Sequence, residues 1–150
     1  MMPHGGFVGA WLFVVLSVGC AFITGSGLPL GVSDIWFTNA ETGPGFQVYP
    51  GRAPQQLLPE VRIFDRARDS KVKLVVLFNS GDPHEIRVTR IMPTGTQYSF
   101  NWSVPRSTQA RTQRWESRDW PLDASWMPGQ YRVDLTIDGI PAGSYTFEVR

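Results

Sequence analysis

The sequence predicts an all-β domain, two packed antiparallel sheets preceded by one N-terminal transmembrane helix, and three observations carry that prediction. No charged residue occurs between Met1 and Ser33, and an apolar run fills the middle of that segment. Beyond it, apolar and polar residues alternate with a period of two in short stretches, the spacing of strands with one dry face. Between those stretches stand Gly, Pro, Asn and Asp, the residues of turns, with no helical repeat to connect parallel strands.

The leader comes first. Phe7 to Thr24 reads FVGAWLFVVLSVGCAFIT, an almost unbroken apolar run that spans a bilayer if Gly25 to Leu28 extend it, since a helix needs about 20 such residues. Phe7, Trp11, Leu12, Phe13, Val14, Val15, Leu16, Phe22 and Ile23 are its expected anchoring side chains. Residues 1–27 are thus expected as a transmembrane helix or uncleaved signal anchor, 28–33 as a Gly- and Pro-rich hinge, and 34–150 as the β domain. Thr24 and Ser26 also offer a small-x-small cleavage site, and Leu16 to Cys20 are similar to a lipoprotein box, which makes Cys20 a candidate for lipidation. Neither flank of the run carries Lys or Arg, so the positive-inside rule does not orient it. A single-pass membrane protein with its domain in the periplasm or outside the cell is the default, and a cytoplasmic domain on an N-out anchor fits the same charges.

The chain has 150 residues, enough for one domain and an appendage. Its 14 Lys and Arg stand against 13 Asp and Glu, so no global field recruits nucleic acid, and nucleic acid is excluded from the expected partners. Cys20 is the sole cysteine, which rules out an intrachain disulfide and Cys/His metal frameworks; no cofactor or metal is expected.

Asp34 to Thr38 reads as a first strand, and the Pro- and Gly-rich stretch Asn39 to Pro59 as either a functional loop or a covering flap. Lys71 to Asn79 is apolar on both faces, the pattern of a central strand covered on both sides. Ser80 to Pro83 turns, Glu85 to Met92 follows as a strand, and Pro93 to Thr96 turns again. Tyr98, Phe100, Trp102 and Val104 then alternate strictly with Gln97, Ser99, Asn101 and Ser103. In the last hairpin, Tyr131, Val133, Leu135 and Ile137 alternate up to a type I′ turn at Asp138 and Gly139. A strict two-residue turn would throw Tyr145, Phe147 and Val149 onto the wrong face, so a bulge is predicted near Ala142 to Ser144, with Gly143 at positive φ.

The ending WMPGQYRVDLTIDGIPAGSYTFEVR, with MPTGTQYSF before it, resembles bacterial immunoglobulin-like sandwich domains. The resemblance covers residues 34 to 150 and implies the sandwich architecture without the antibody disulfide. It also implies an adhesive, structural or accessory role.

Catalytic signatures are missing: there is no nucleophile elbow, phosphate loop or H-E-x-x-H pattern, and His84, in the turn-like Asp82 to Glu85, is the sole histidine of the domain. The chain is therefore read as not an enzyme. Arg106 to Trp126 concentrates four arginines and three tryptophans, residue types enriched at interface hot spots. Arg111, Arg114, Trp115, Arg118 and Trp120 are the candidate interaction residues, against the alternative that the tryptophans are core anchors and the arginines a wet edge. The expected function is that of a structural, stabilising accessory subunit of a larger membrane protein complex, bioenergetic complexes among them, with membrane lipids and protein subunits as partners. The rival expectation is an exported or lipid-anchored module recognising glycan or peptide.

Overall fold

The computed structural model describes residues 27–41, 58–107 and 113–150. The expected anchor residues from Phe7 to Ile23, Cys20 and Arg111 lie outside the described residues.

Among the described residues eight strands follow one another: β1 (Val32–Thr38), β2 (Ile63–Phe64), β3 (Lys71–Phe78), β4 (His84–Ile91), β5 (Gln97–Val104), β6 (Arg114–Pro121), β7 (Gly129–Ile137) and β8 (Ile140–Val149). They form a three-stranded sheet in the order β1-β3-β6 and a five-stranded sheet in the order β2-β8-β7-β4-β5. Each alternating stretch predicted as a strand is one. The topology is that of an immunoglobulin-like sandwich: β1, β3 and β6 pair as strands A, B and E do, β4, β7 and β8 as C, F and G, and β5 extends the second sheet beyond C.

Three features differ from the sequence reading. Arg114 to Pro121, part of an Arg- and Trp-rich stretch to which the sequence reading assigned no strand, is a full strand paired with β3 along its length. The sheets are not wholly antiparallel, because β2 pairs in parallel with β8, Ile63 opposite Glu148 and Phe64 opposite Val149. The domain also starts earlier than residue 34. Val32 opens β1, Leu28 packs on the core, and the Gly31 carbonyl accepts a bond from Asn79 N–H, so the stretch read as a hinge is drawn into the sandwich.

The main core lies between the sheets. Ile35, Phe37, Val72, Leu74, Val76 and Phe78 face Ile86, Val88, Tyr131, Val133, Leu135, Phe147 and Val149. Phe147 is its hub, stacked on Tyr131 at 5.3 Å and meeting Phe37 and Phe64 edge-on at 4.8 and 5.5 Å. A second, smaller cluster joins Trp36, Val75, Leu77 and Leu58 on the outer face of the three-stranded sheet. There Trp36 Nε1 donates to the Leu58 carbonyl at 2.8 Å. That answers the question left by the doubly apolar β3: its second face is closed by the chain returning at Leu58, which acts as a cover.

The predicted bulge is present. Leu135 pairs with Gly143 and Thr136 with Pro141, leaving Ala142 as the extra residue, and Gly143 takes a φ of +112°. Asp138 and Gly139 both have positive φ, as a type I′ turn requires. Beyond the bulge Phe147 and Val149 face the core, as the alternation demanded.

A Cβ at Gly143 would meet the Tyr145 hydroxyl at 3.2 Å, on a backbone L residues rarely adopt. Gly143→Val is expected to cost about 1–3 kcal/mol, and Phe147→Ala about 3–5 kcal/mol through the cavity it opens. Denaturant unfolding followed by tryptophan fluorescence measures both; a Phe147→Ala cost below that of Gly143→Val would contradict the ranking.

Candidate interaction site

Where an Ig-like sandwich is open, the edges of its two sheets face each other, here β5 and β6. The dry face of β5 carries Tyr98, Phe100, Trp102 and Val104, of which only Trp102 and Val104 are fully buried. The inward positions of β6, those opposite Phe78, Val76, Leu74 and Val72, are Arg114, Glu116, Arg118 and Trp120. A strand with three charged residues on its inner face has no dry stripe, which is why its alternation is unreadable in the sequence. The charges are accommodated because the open side is a seam, where long stems cover apolar surface and heads reach water.

Along the seam the guanidinium groups lie on aromatic rings. Arg118 sits over Trp102 at 5.2 Å and Arg114 over Phe78 at 5.5 Å. Trp120 meets Phe100 edge-on at 6.4 Å and Phe37 at the same distance. Arg114 also donates to the carbonyls of Pro105, at 2.7 Å, and Asp82, which ties β6 to the loop between β3 and β4. Beside it, burial pushes the Glu116 carboxyl above the usual range, with Arg114 pulling it back in part. Trp115 points the other way and packs against the outer cluster of Trp36, Leu58, Val75 and Leu77.

The four described candidates from the sequence therefore share one strand but two faces. Arg114, Arg118 and Trp120 line the seam, and Trp115 covers the opposite side of the sheet. On that outer side Asp119 holds both lysines of the protein, Lys71 at 3.1 Å and Lys73 at 3.4 Å.

The seam ends in a cleft that sequence reasoning missed. Arg90, inward-facing near the end of β4, has its guanidinium 4.6 Å from the Trp126 ring, 5.6 Å from Trp120 and 5.7 Å from Tyr98. Met92, Ser125 and Tyr131 complete the lining of a cavity of about 210 Å³. The signal was available: His84, Ile86, Val88 and Arg90 share one register in β4, so an arginine stands where a dry residue is expected.

At the other end of β4, His84 is not in a solvated turn. It is the first residue of the strand, buried, stacked on Phe78 at 4.3 Å, with Nδ1 2.7 Å from the Asp138 carboxylate. Burial raises the Asp138 carboxyl, but the Glu85 N–H and His84 outweigh it and hold the group below the usual carboxylate range. Among the described residues no three His, Cys, Asp or Glu side chains converge as a metal site would require.

No family model matches the chain, and no curated protein matches it. Solved structures do. One is an immunoglobulin-like protein from Pseudomonas aeruginosa, with 10% identity over 79% of this chain and 93% of that one, at a TM-score of 0.41. Another is an alkylpurine DNA glycosylase from Pseudomonas fluorescens bound to DNA containing an abasic-site analogue, with 15% identity and a TM-score of 0.39. That match covers 59% of this chain and only 28% of the glycosylase. The expectation that excluded nucleic acid from the partners stands against this DNA-bound neighbour and is not kept, while a likeness this slight assigns no partner to the chain. The physical reason is plain: a balanced net charge limits long-range steering but says nothing about local groups of arginines.

A carboxyl held low stabilises the fold above its unfolded pKa and loses that contribution as pH falls through the folded value. Wild-type protein is thus expected to lose stability as pH drops below about 4, and Asp138→Asn to flatten that part of the acid limb while lowering stability at pH 7. Thermal melts from pH 2.5 to 7 test this; parallel curves for the two proteins would refute it.

Proposed function

We propose that the chain is a non-enzymatic, membrane-tethered accessory domain that docks on a partner protein of a larger membrane assembly through the free edge of β5. The tether is the uncharged apolar run before Gly25, and the absence of catalytic signatures in the sequence supports a binding role.

The observation that carries the reading is the character of the β5 edge. Among the described residues β5 is the outermost strand of its sheet, and it pairs with β4 in unbroken register over all eight of its residues. Its sequence, QYSFNWSV, holds no charge and no proline. Edge strands left in this state are templates for another strand, and proteins normally blunt them with charge, proline, a bulge or shortness. The other edges here are blunted in those ways. β6 carries Arg114, Glu116, Arg118, Asp119 and Pro121, β2 is two residues long, and the outer edge of β1 is engaged where Val61 N–H donates to the Phe37 carbonyl at 2.7 Å. An extended segment of a partner would add to β5 by main-chain pairing. A second reading, an exported or lipid-anchored ligand-binding module, is favoured by the cleft at Arg90.

Ser103→Lys places a lysine on the edge opposite Glu85, and Asn101→Glu places a carboxylate opposite Arg87, both favourable cross-strand pairs. The double variant is expected to keep its stability within about 0.5 kcal/mol. Extracted in mild detergent and run on a sizing column, the wild-type full chain is expected in a larger species and the variant as a monomer. Wild-type protein that runs only as a free monomer, or as a dimer of itself, overturns the proposal.

A further inference from the structure

We propose that the cleft at Arg90 is a binding site for a carboxylate presented by a peptide, as an acidic side chain or a free chain end. Three arginines of the described domain are not exposed, Arg66, Arg90 and Arg114, and of these only Arg90 has neither an ion pair nor a carbonyl acceptor. Arg62, Arg68, Arg106, Arg132 and Arg150 each meet an Asp or Glu, and Arg66 and Arg114 donate to carbonyls. Arg90 is in none of the ion pairs among the described residues, and its buried Nε has no hydrogen-bond partner.

Its surroundings give it rings in place of a counter-ion. Trp126, Trp120 and Tyr98 hold the flat guanidinium, an arrangement that compensates part of the lost hydration but satisfies none of its N–H donors. Burial makes the group a poorer base, and it remains a cation at neutral pH. A second cation is close: Arg66 donates to the Trp126 carbonyl at 2.9 Å, and both Arg66 and Arg90 act on the Tyr131 hydroxyl. That hydroxyl donates to the Met127 carbonyl at 3.0 Å, and burial raises its pKa, so it is a neutral phenol and no counter-ion for Arg90. A carboxylate is the group that matches a guanidinium fork, two acceptors in one plane, and arginine is the residue suited to hold it bidentately.

The size of the cleft narrows the class. Ligand pockets for whole small molecules run from about 300 to 1,000 Å³, and a cavity of about 210 Å³ takes a side chain or a chain end instead. Met92, Tyr98 and Trp126 supply apolar walls for the methylene stem of such a group, and Ser125 a hydroxyl at the rim.

The test needs no knowledge of the natural partner and does not depend on pairing at β5. Three tripeptides, all blocked at the amino end, are titrated against the full chain in detergent, followed by tryptophan fluorescence. One has a central glutamate and one a central glutamine, both with amidated carboxyl ends, and one is all alanine with a free terminal carboxylate. At least one carboxylate peptide is expected to saturate, which also tells side chain from chain end, and the glutamine peptide to bind about tenfold or more weakly, the loss of one charge-assisted hydrogen bond. Arg90→Lys, which keeps the charge and loses the fork, is expected to weaken carboxylate binding by a similar factor. Equal binding of the glutamate and glutamine peptides alongside no response to the free carboxylate, no saturable response to any peptide, or full affinity in a folded Arg90→Lys variant overturns the assignment. The wild-type comparison decides the matter if that variant does not fold.

Discussion

One extra residue in the last strand governs which side of the molecule is dry. With Ala142 as the extra residue of β8 opposite the step from Leu135 to Thr136, Phe147 and Val149 turn inward and the stack on Tyr131 can form. Without it the period-two rule would send both to solvent and leave the hub of the core empty. Phe37, Phe64 and Trp126 all reach that hub, so β1, β2 and the turn before β7 are positioned by a register set several residues away. Gly143 is what permits the arrangement, since its φ lies where a side chain would be strained.

The open side of the sandwich is solved by different chemistry. A core closed by packing alone would need apolar residues on the inner face of β6, and the chain instead places Arg114, Glu116, Arg118 and Trp120 there. Guanidinium groups laid on Phe78 and Trp102 shield those rings from water and keep their own heads partly hydrated. The same solution fails to complete itself at Arg90, where three rings surround a cation that nothing among the described residues neutralises. A site whose charge is left unmatched by its own fold is where an external group has most to contribute.

How far the sequence reveals this depends on what each strand faces. β3, β4, β5, β7 and β8 were legible because a dry face imposes alternation, and even the bulge followed from counting residues on either side of Asp138-Gly139. β6 was not, because rings and guanidinium groups replace the apolar stripe; its tryptophans and arginines were seen as interaction candidates or as core anchors with a wet edge, but not as a strand. β2 escaped because two residues carry no period and its partner is parallel. His84 was misread for a related reason: Asp82-Pro83-His84-Glu85 has the composition of a turn, and only tertiary contact with Phe78 and Asp138 gives the ring its burial. The interaction candidates fared in the same way. Arg114, Arg118 and Trp120 do converge, whereas Arg90, from a different strand and with no local motif, could be found only by noticing a charge in a dry register.

The chain enters the sandwich beside β1, which packs toward β8, and carries β5 and β6 at the far side. Yet the described chain begins at one end of the sandwich, where Gly31 lies beside His84, and His84 pairs with Val104 at the end of β5. The first described residues and the last residue of the outermost strand are thus only one strand apart, so a partner strand running along β5 would finish next to the place where the chain enters the fold.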